Sequence, residues 1–188
     1  MRRITILATA VFAIGGTTLA FTSDGSRRIS EFLSGLNEAA AVVSTTGSGT
    51  FHATISRDGT EIQYQLTFKD LEGDVRQSHI HIGLPQNAGG IVLWLCDSTA
   101  NPSPSATTPA CNESDPLNNR AGSVSGTLTA ADVQAQAPNG IAAGEFAEVV
   151  ALIRAGKTYV NVHSVKFPPG EIRSQIADGH DGHDHGDR

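Results

Sequence analysis

The chain has little of what a catalytic or nucleic-acid-binding protein usually displays. It has only two cysteines, one methionine, one tryptophan and two tyrosines among 188 residues, and aromatic residues make up 5%. It has no basic cluster, and its formal net charge is −6. An acidic chain without a basic stripe argues against nucleic acid as a partner. No nucleophile elbow, phosphate loop, H-E-x-x-H motif or calcium loop occurs. After residue 20 no stretch is long and apolar enough to span a membrane.

The first twenty residues read as an export signal. Arg2 and Arg3 supply a positive start, Ile4 to Ile14 is a short apolar run, and Thr18-Leu19-Ala20 resembles a small-residue cleavage site. No cysteine follows that run, which argues against a bacterial lipid anchor. Cleavage after Ala20 would leave 168 residues with a formal charge of −8, enough for one domain with its own core. The expectation is an exported protein, periplasmic or secreted. Residues 21–28 read as a linker, 29–177 as the domain, and 178–188 as a disordered His/Asp-rich tail.

In an exported chain the pair Cys96 and Cys111 reads as a disulfide. The segment between them, Asp97 to Ala110, is rich in Ser, Thr, Pro and Ala and has nothing to pack a core with. The bridge would therefore pin a surface loop. Nothing nearby would lower a thiol pKa, so a catalytic cysteine is not indicated.

Twenty glycines suit short strands joined by tight turns. Thr50 to Ser56 and Glu61 to Phe68 alternate apolar and polar residues around Asp58-Gly59, which reads as a hairpin. Val75 to Gly83, Val124 to Thr129, Thr158 to Ser164 and Glu171 to Ile176 read as further strands. Ile91 to Cys96 is a continuous apolar run, which predicts a central strand covered on both faces. Between Gly144 and Ala155 the period changes: Phe146, Val149, Val150 and Ile153 fall at helical spacing, with Gly156 where a helix ends. Many short strands and one helix predict an antiparallel two-sheet sandwich.

Three strands carry ordered polar rows. In Ser78-His79-Ile80-His81-Ile82-Gly83 the two histidines share a face. In Tyr159-Val160-Asn161-Val162-His163 the tyrosine, asparagine and histidine share one. After Phe167-Pro168-Pro169-Gly170, residues Glu171, Arg173 and Gln175 share another. Two readings of these rows stay open. One is a metal site, with His79, His81 and His163 binding copper or zinc and Glu171 fixing a histidine tautomer. The other is a structural network in which these histidines, Tyr159, Asn161, Glu171 and Arg173 satisfy one another. His52, on the polar side of the hairpin, reads as a surface histidine. The tail histidines His180, His183 and His185, interleaved with aspartates, are candidate ligands for Zn²⁺, Cu²⁺ or Ni²⁺.

These segments, with Phe32-Leu33-Ser34-Gly35-Leu36-Asn37-Glu38, Gly89-Gly90-Ile91-Val92, Ala155-Gly156-Lys157-Thr158 and Ser174-Gln175, resemble the CHRD domain, a family named for chordin and widespread in exported bacterial proteins. The resemblance spans roughly residues 29 to 177. It departs at Glu38-Ala39-Ala40-Ala41-Val42, where the family often has a Glu-Val-Pro-Pro type of run, and at Ser174, where glycine is common. It implies an all-β, antiparallel, Greek-key, immunoglobulin-like β-sandwich, and it supplies no enzymatic activity. The functional expectation is a non-catalytic extracytoplasmic binding module for a protein or cell-surface ligand. The alternative is a copper- or zinc-binding envelope protein.

Overall fold

The computed structural model describes residues 26–39, 41–111 and 119–176. The export-signal and His/Asp-tail expectations lie outside these residues. Eight strands form the fold: β1 (Arg27–Ser34), β2 (Ser48–Ile55), β3 (Ile62–Lys69), β4 (Val75–Ile82), β5 (Ile91–Cys96), β6 (Gly122–Leu128), β7 (Thr158–Ser164) and β8 (Ile172–Ile176), with one α-helix, α1 (Phe146–Arg154), among the described residues. All strand pairings in the sheet are antiparallel.

The expected all-β class and single helix are present, but the two-sheet sandwich is replaced by one continuous sheet in the order β5-β4-β7-β8-β1-β2-β3-β6. Two four-stranded halves meet through a single residue pair, Ser34 opposite Arg173. The sheet curls until its outer strands β5 and β6 approach each other, close to a barrel. That closure corrects the reading of Ile91–Cys96. It is an edge strand, not a central one. Its apolar run is nonetheless buried, because residues 133–141 cover its edge: Gln134 donates its backbone N–H to Val92 O at 2.9 Å and Gln136 donates its side-chain amide to Ile91 O. An unpaired edge would otherwise invite association.

The core lies inside the curl. Leu33, Phe51, Ile55, Leu66, Leu93, Leu95, Val160, Val162, Ile172 and Ile176 are fully buried there. Helix α1 turns Phe146, Val149, Val150 and Ile153 onto this core. It ends at Gly156, whose φ of +65° suits the left-handed turn after a helix. The expected Asp58-Gly59 hairpin forms, with Ile55 opposite Ile62. Strand β1 starts at Arg27, two residues inside the expected linker. Cys96 and Cys111 form a disulfide, which ties the end of β5 to the loop that follows it.

Candidate functional site

Strand order decides whether the polar rows meet. β4 pairs with β7, and β7 with β8, so the three rows lie side by side. Gln77 stands opposite His163, His79 opposite Asn161, His81 opposite Tyr159, and Asn161 opposite Arg173. The rows face away from the apolar core, yet they are buried. His79 is 0% exposed, and His81 and His163 are 6% exposed.

The cover consists of loops. Arg173 reaches under the loop after β4, donating to Leu84 O at 2.9 Å and to Asn87 O at 3.1 Å. Gly89 N donates to Tyr159 Oη at 3.0 Å. Gly89 sits so close that a Cβ would fall 1.7 Å from Ile82 O, so glycine is required there. The loop before β8 covers His163. At its end Gly170, with φ +138°, leaves room for Glu38, whose carboxylate lies 2.5 Å from where a Cβ would stand.

Ring contacts lock the histidines. His81 stacks on Tyr159, with planes 1° apart and centroids 4.7 Å apart, and the Arg173 guanidinium lies 3.3 Å from the Tyr159 centroid. Trp94, on β5 opposite His79, meets that imidazole edge-on at 4.3 Å.

The hydrogen bonds fix where the ring protons sit. His163 Nδ1 faces Pro168 O at 2.8 Å, and His81 Nδ1 faces Gly89 O at 2.9 Å. A carbonyl only accepts, so both Nδ1 atoms carry the proton and both Nε2 atoms carry a lone pair. His79 Nδ1 lies 3.2 Å from His163 Nε2. Asn161 Oδ1 lies 3.0 Å from the same Nε2. Two buried nitrogens, His79 Nε2 and His81 Nε2, have no hydrogen-bond partner. One nitrogen from each of the three histidines falls within 4.8 Å of the others.

Burial sets the charge state. It pushes the His79 pKa down to about 2 and the His81 pKa down to about 4, and it lowers that of His163. All three imidazoles are therefore neutral at physiological pH, the form that binds metal. Burial acts in the opposite sense on Glu38, raising its carboxyl to about 7 against the pull of Arg173 and Asn161.

Tyr159, Asn161 and Arg173 thus join the histidines. Glu171 does not hold a histidine tautomer: its Oε1 accepts from Thr45 Oγ1 and from the Glu72 backbone N–H, each at 2.7 Å. It is the first residue after a turn, where strand alternation does not yet govern direction. Glu38 and Trp94 also belong to the site, and no periodicity marks either as a site residue. Glu38 lies in a loop with no periodicity, and Trp94 is one member of an apolar run. The one hint for Glu38 is its place at the end of the Phe32–Glu38 segment that carries the family resemblance. Beside the cluster a cleft of about 490 Å³ is lined by Leu36, Glu38, Val42, Pro85, Arg173 and Gln175, among others.

No helix among the described residues is long and apolar enough to cross a membrane. No curated protein and no solved structure matches the chain. The CHRD domain model matches residues 29–176, from β1 to the end of β8 and across every residue of the histidine cluster, and the chain belongs to the CHRD domain family.

Proposed function

We propose that this protein is an extracytoplasmic binding module whose buried histidine cluster holds a copper or zinc ion. The carrying observation is the pair of buried, unpartnered Nε2 atoms on His79 and His81, beside His163 Nε2. A buried polar atom without a partner costs about 1–3 kcal/mol, so two such nitrogens side by side favour a shared partner. A cation satisfies both at once. The spacing supports this. One nitrogen from each of the three rings falls within 4.8 Å of the others, and two imidazole nitrogens bound at about 2.0–2.1 Å with a near-tetrahedral angle lie about 3.3 Å apart, so ring movements of up to about 1.5 Å close the set on one ion. The carbonyls of Pro168 and Gly89 orient two of the rings as outer partners of metal-bound histidines do.

His180, His183 and His185 serve in this reading as an accessory chelator of modest affinity, since ordering a chain segment on binding costs entropy. Family membership and the disulfide fit an oxidising, extracytoplasmic location. A second reading, docking of a protein or cell-surface ligand, draws on the exposed Leu36 and Val42 that line the cleft.

The test is elemental mass spectrometry on untagged protein in which the three tail histidines are alanine. The expected result is near one copper or zinc per chain, lost on His81→Gln. Metal-free protein that also takes up neither added metal contradicts the proposal.

A further inference from the structure

The donor set and its surroundings also bear on the charge of the ion. Resting on the metal site proposed for these histidines, we infer that the cluster takes copper as Cu(I) in preference to Zn²⁺ or Cu²⁺.

Electrostatics favours the lower charge. The cluster contains three histidines and no carboxylate or thiolate. Neutral imidazoles leave the full charge of the ion in place. The cost of moving an ion out of water grows with the square of its charge, so a divalent ion bears about four times the penalty of a monovalent one. The cluster is almost wholly buried, which makes that penalty large. A neighbouring cation sharpens it. The Arg173 guanidinium stacks on Tyr159, which stacks on His81, and Glu38 offsets only part of its charge. The remainder repels a divalent ion more than a monovalent one.

Coordination points the same way. Zn²⁺ in proteins is four-coordinate, and a three-histidine zinc site keeps a fourth position open for water. Here the Trp94 indole packs on the His79 ring and the Tyr159 ring packs on His81, so both flanks of the cluster are closed by aromatic rings. Imidazole suits copper and zinc alike, and Cu(I) is content with three nitrogen donors where Zn²⁺ is four-coordinate. An aromatic wall offers a divalent ion no fourth donor.

Trp94 also makes the preference measurable, because it is the only tryptophan in the chain. The experiment uses the full chain with His180, His183 and His185 replaced by alanine. Cu(I), held reduced with ascorbate, is presented as its bicinchoninate complex. Zn²⁺ and Cu²⁺ are presented separately against chelators of known strength. Trp94 fluorescence and chelator absorbance are read together. The expected result is one Cu(I) per chain, quenching of Trp94, and an affinity at least a hundredfold above that for Zn²⁺ or Cu²⁺. Trp94→Leu, which keeps an apolar side chain on β5, should weaken Cu(I) about tenfold by removing the aromatic wall, as read by chelator competition. Zn²⁺ or Cu²⁺ bound as tightly as Cu(I) overturns the monovalent preference and leaves the metal reading standing. Uptake of none of the three overturns both.

Discussion

The two halves of the sheet share a fold and differ in what they do with their outer faces. In β2 and β3 the outer row is Thr50, His52, Thr54, Gln63, Gln65 and Thr67, open to solvent or half-buried. Its members satisfy themselves locally, as Thr50 and Thr67 do with a 2.7 Å hydroxyl contact. In β4, β7 and β8 the outer row is Gln77, His79, His81, Tyr159, Asn161, His163, Arg173 and Gln175, and all but the half-buried Gln77 and Gln175 are buried. All seven residues of β7 are buried, whereas β3 alternates buried with exposed or half-buried. A half-buried antiparallel strand needs only one good face. Burying the second face with titratable side chains adds desolvation cost without adding apolar core. A fold bears such a cost where the groups have a task.

The sharpest break between the halves is expected at Arg173. Arg173→Ala removes two bonds to loop carbonyls and the guanidinium over Tyr159, and leaves Glu38 without its cation. The loss should be on the order of 3–5 kcal/mol in urea unfolding. Gln65→Ala, on the open half, should stay within about 0.5 kcal/mol. Equal losses would erase the distinction.

Acid should act through the closed half. The unfolded chain protonates its histidines below about pH 6.5, while folded His79 and His81 resist down to about 2 and about 4. The unfolded state then binds more protons, so stability is lost as pH falls from about 6.5. Each unit is worth about 1.4 kcal/mol per group, a few kcal/mol by pH 4.5. Glu38 has the opposite sign. Its folded pKa is raised from 4.5 to about 7, so its contribution is full below 4.5 and lost as pH rises through 7. Glu38→Gln should flatten that upper limb and leave the acid limb in place. Urea midpoints measured from pH 4 to 8 check both.

The disulfide anchors the same half, at the end of the strand that carries Trp94. Replacing Cys96 and Cys111 together by alanine should cost about 3 kcal/mol, from loop closure over 15 residues of separation. The smallest effect belongs to His52, exposed on β2. His52→Ala should change stability by less than about 0.5 kcal/mol and leave both the pH response and metal uptake untouched.

Legibility in the sequence follows the same divide. The open half is legible because period-2 alternation and the Asp58-Gly59 turn are local signals. The three polar rows are legible for the same reason, and so is α1 from its change of period. Their adjacency is not, since it depends on β7 entering between β4 and β8, a long-range pairing that no local pattern encodes. Closure of the sheet is long-range as well, and it turns the apolar run of β5 into a covered edge. Glu38 is drawn in by Arg173, Asn161 and the space left at Gly170, partners more than a hundred residues away. Glu171 shows the converse, where alternation carried one residue too far into a turn misassigns its partner.

Thermal unfolding of the tail-substituted chain with and without metal, in parallel with His81→Gln, probes the buried metal site most directly. A ligand that binds only the folded state stabilises it by about 4 kcal/mol at a thousandfold excess over Kd. A metal site at His79, His81 and His163 predicts a clear rise in Tm with copper or zinc that His81→Gln abolishes. An identical Tm with and without either metal, in a chain that folds normally, would make the closed half a structural network and nothing more.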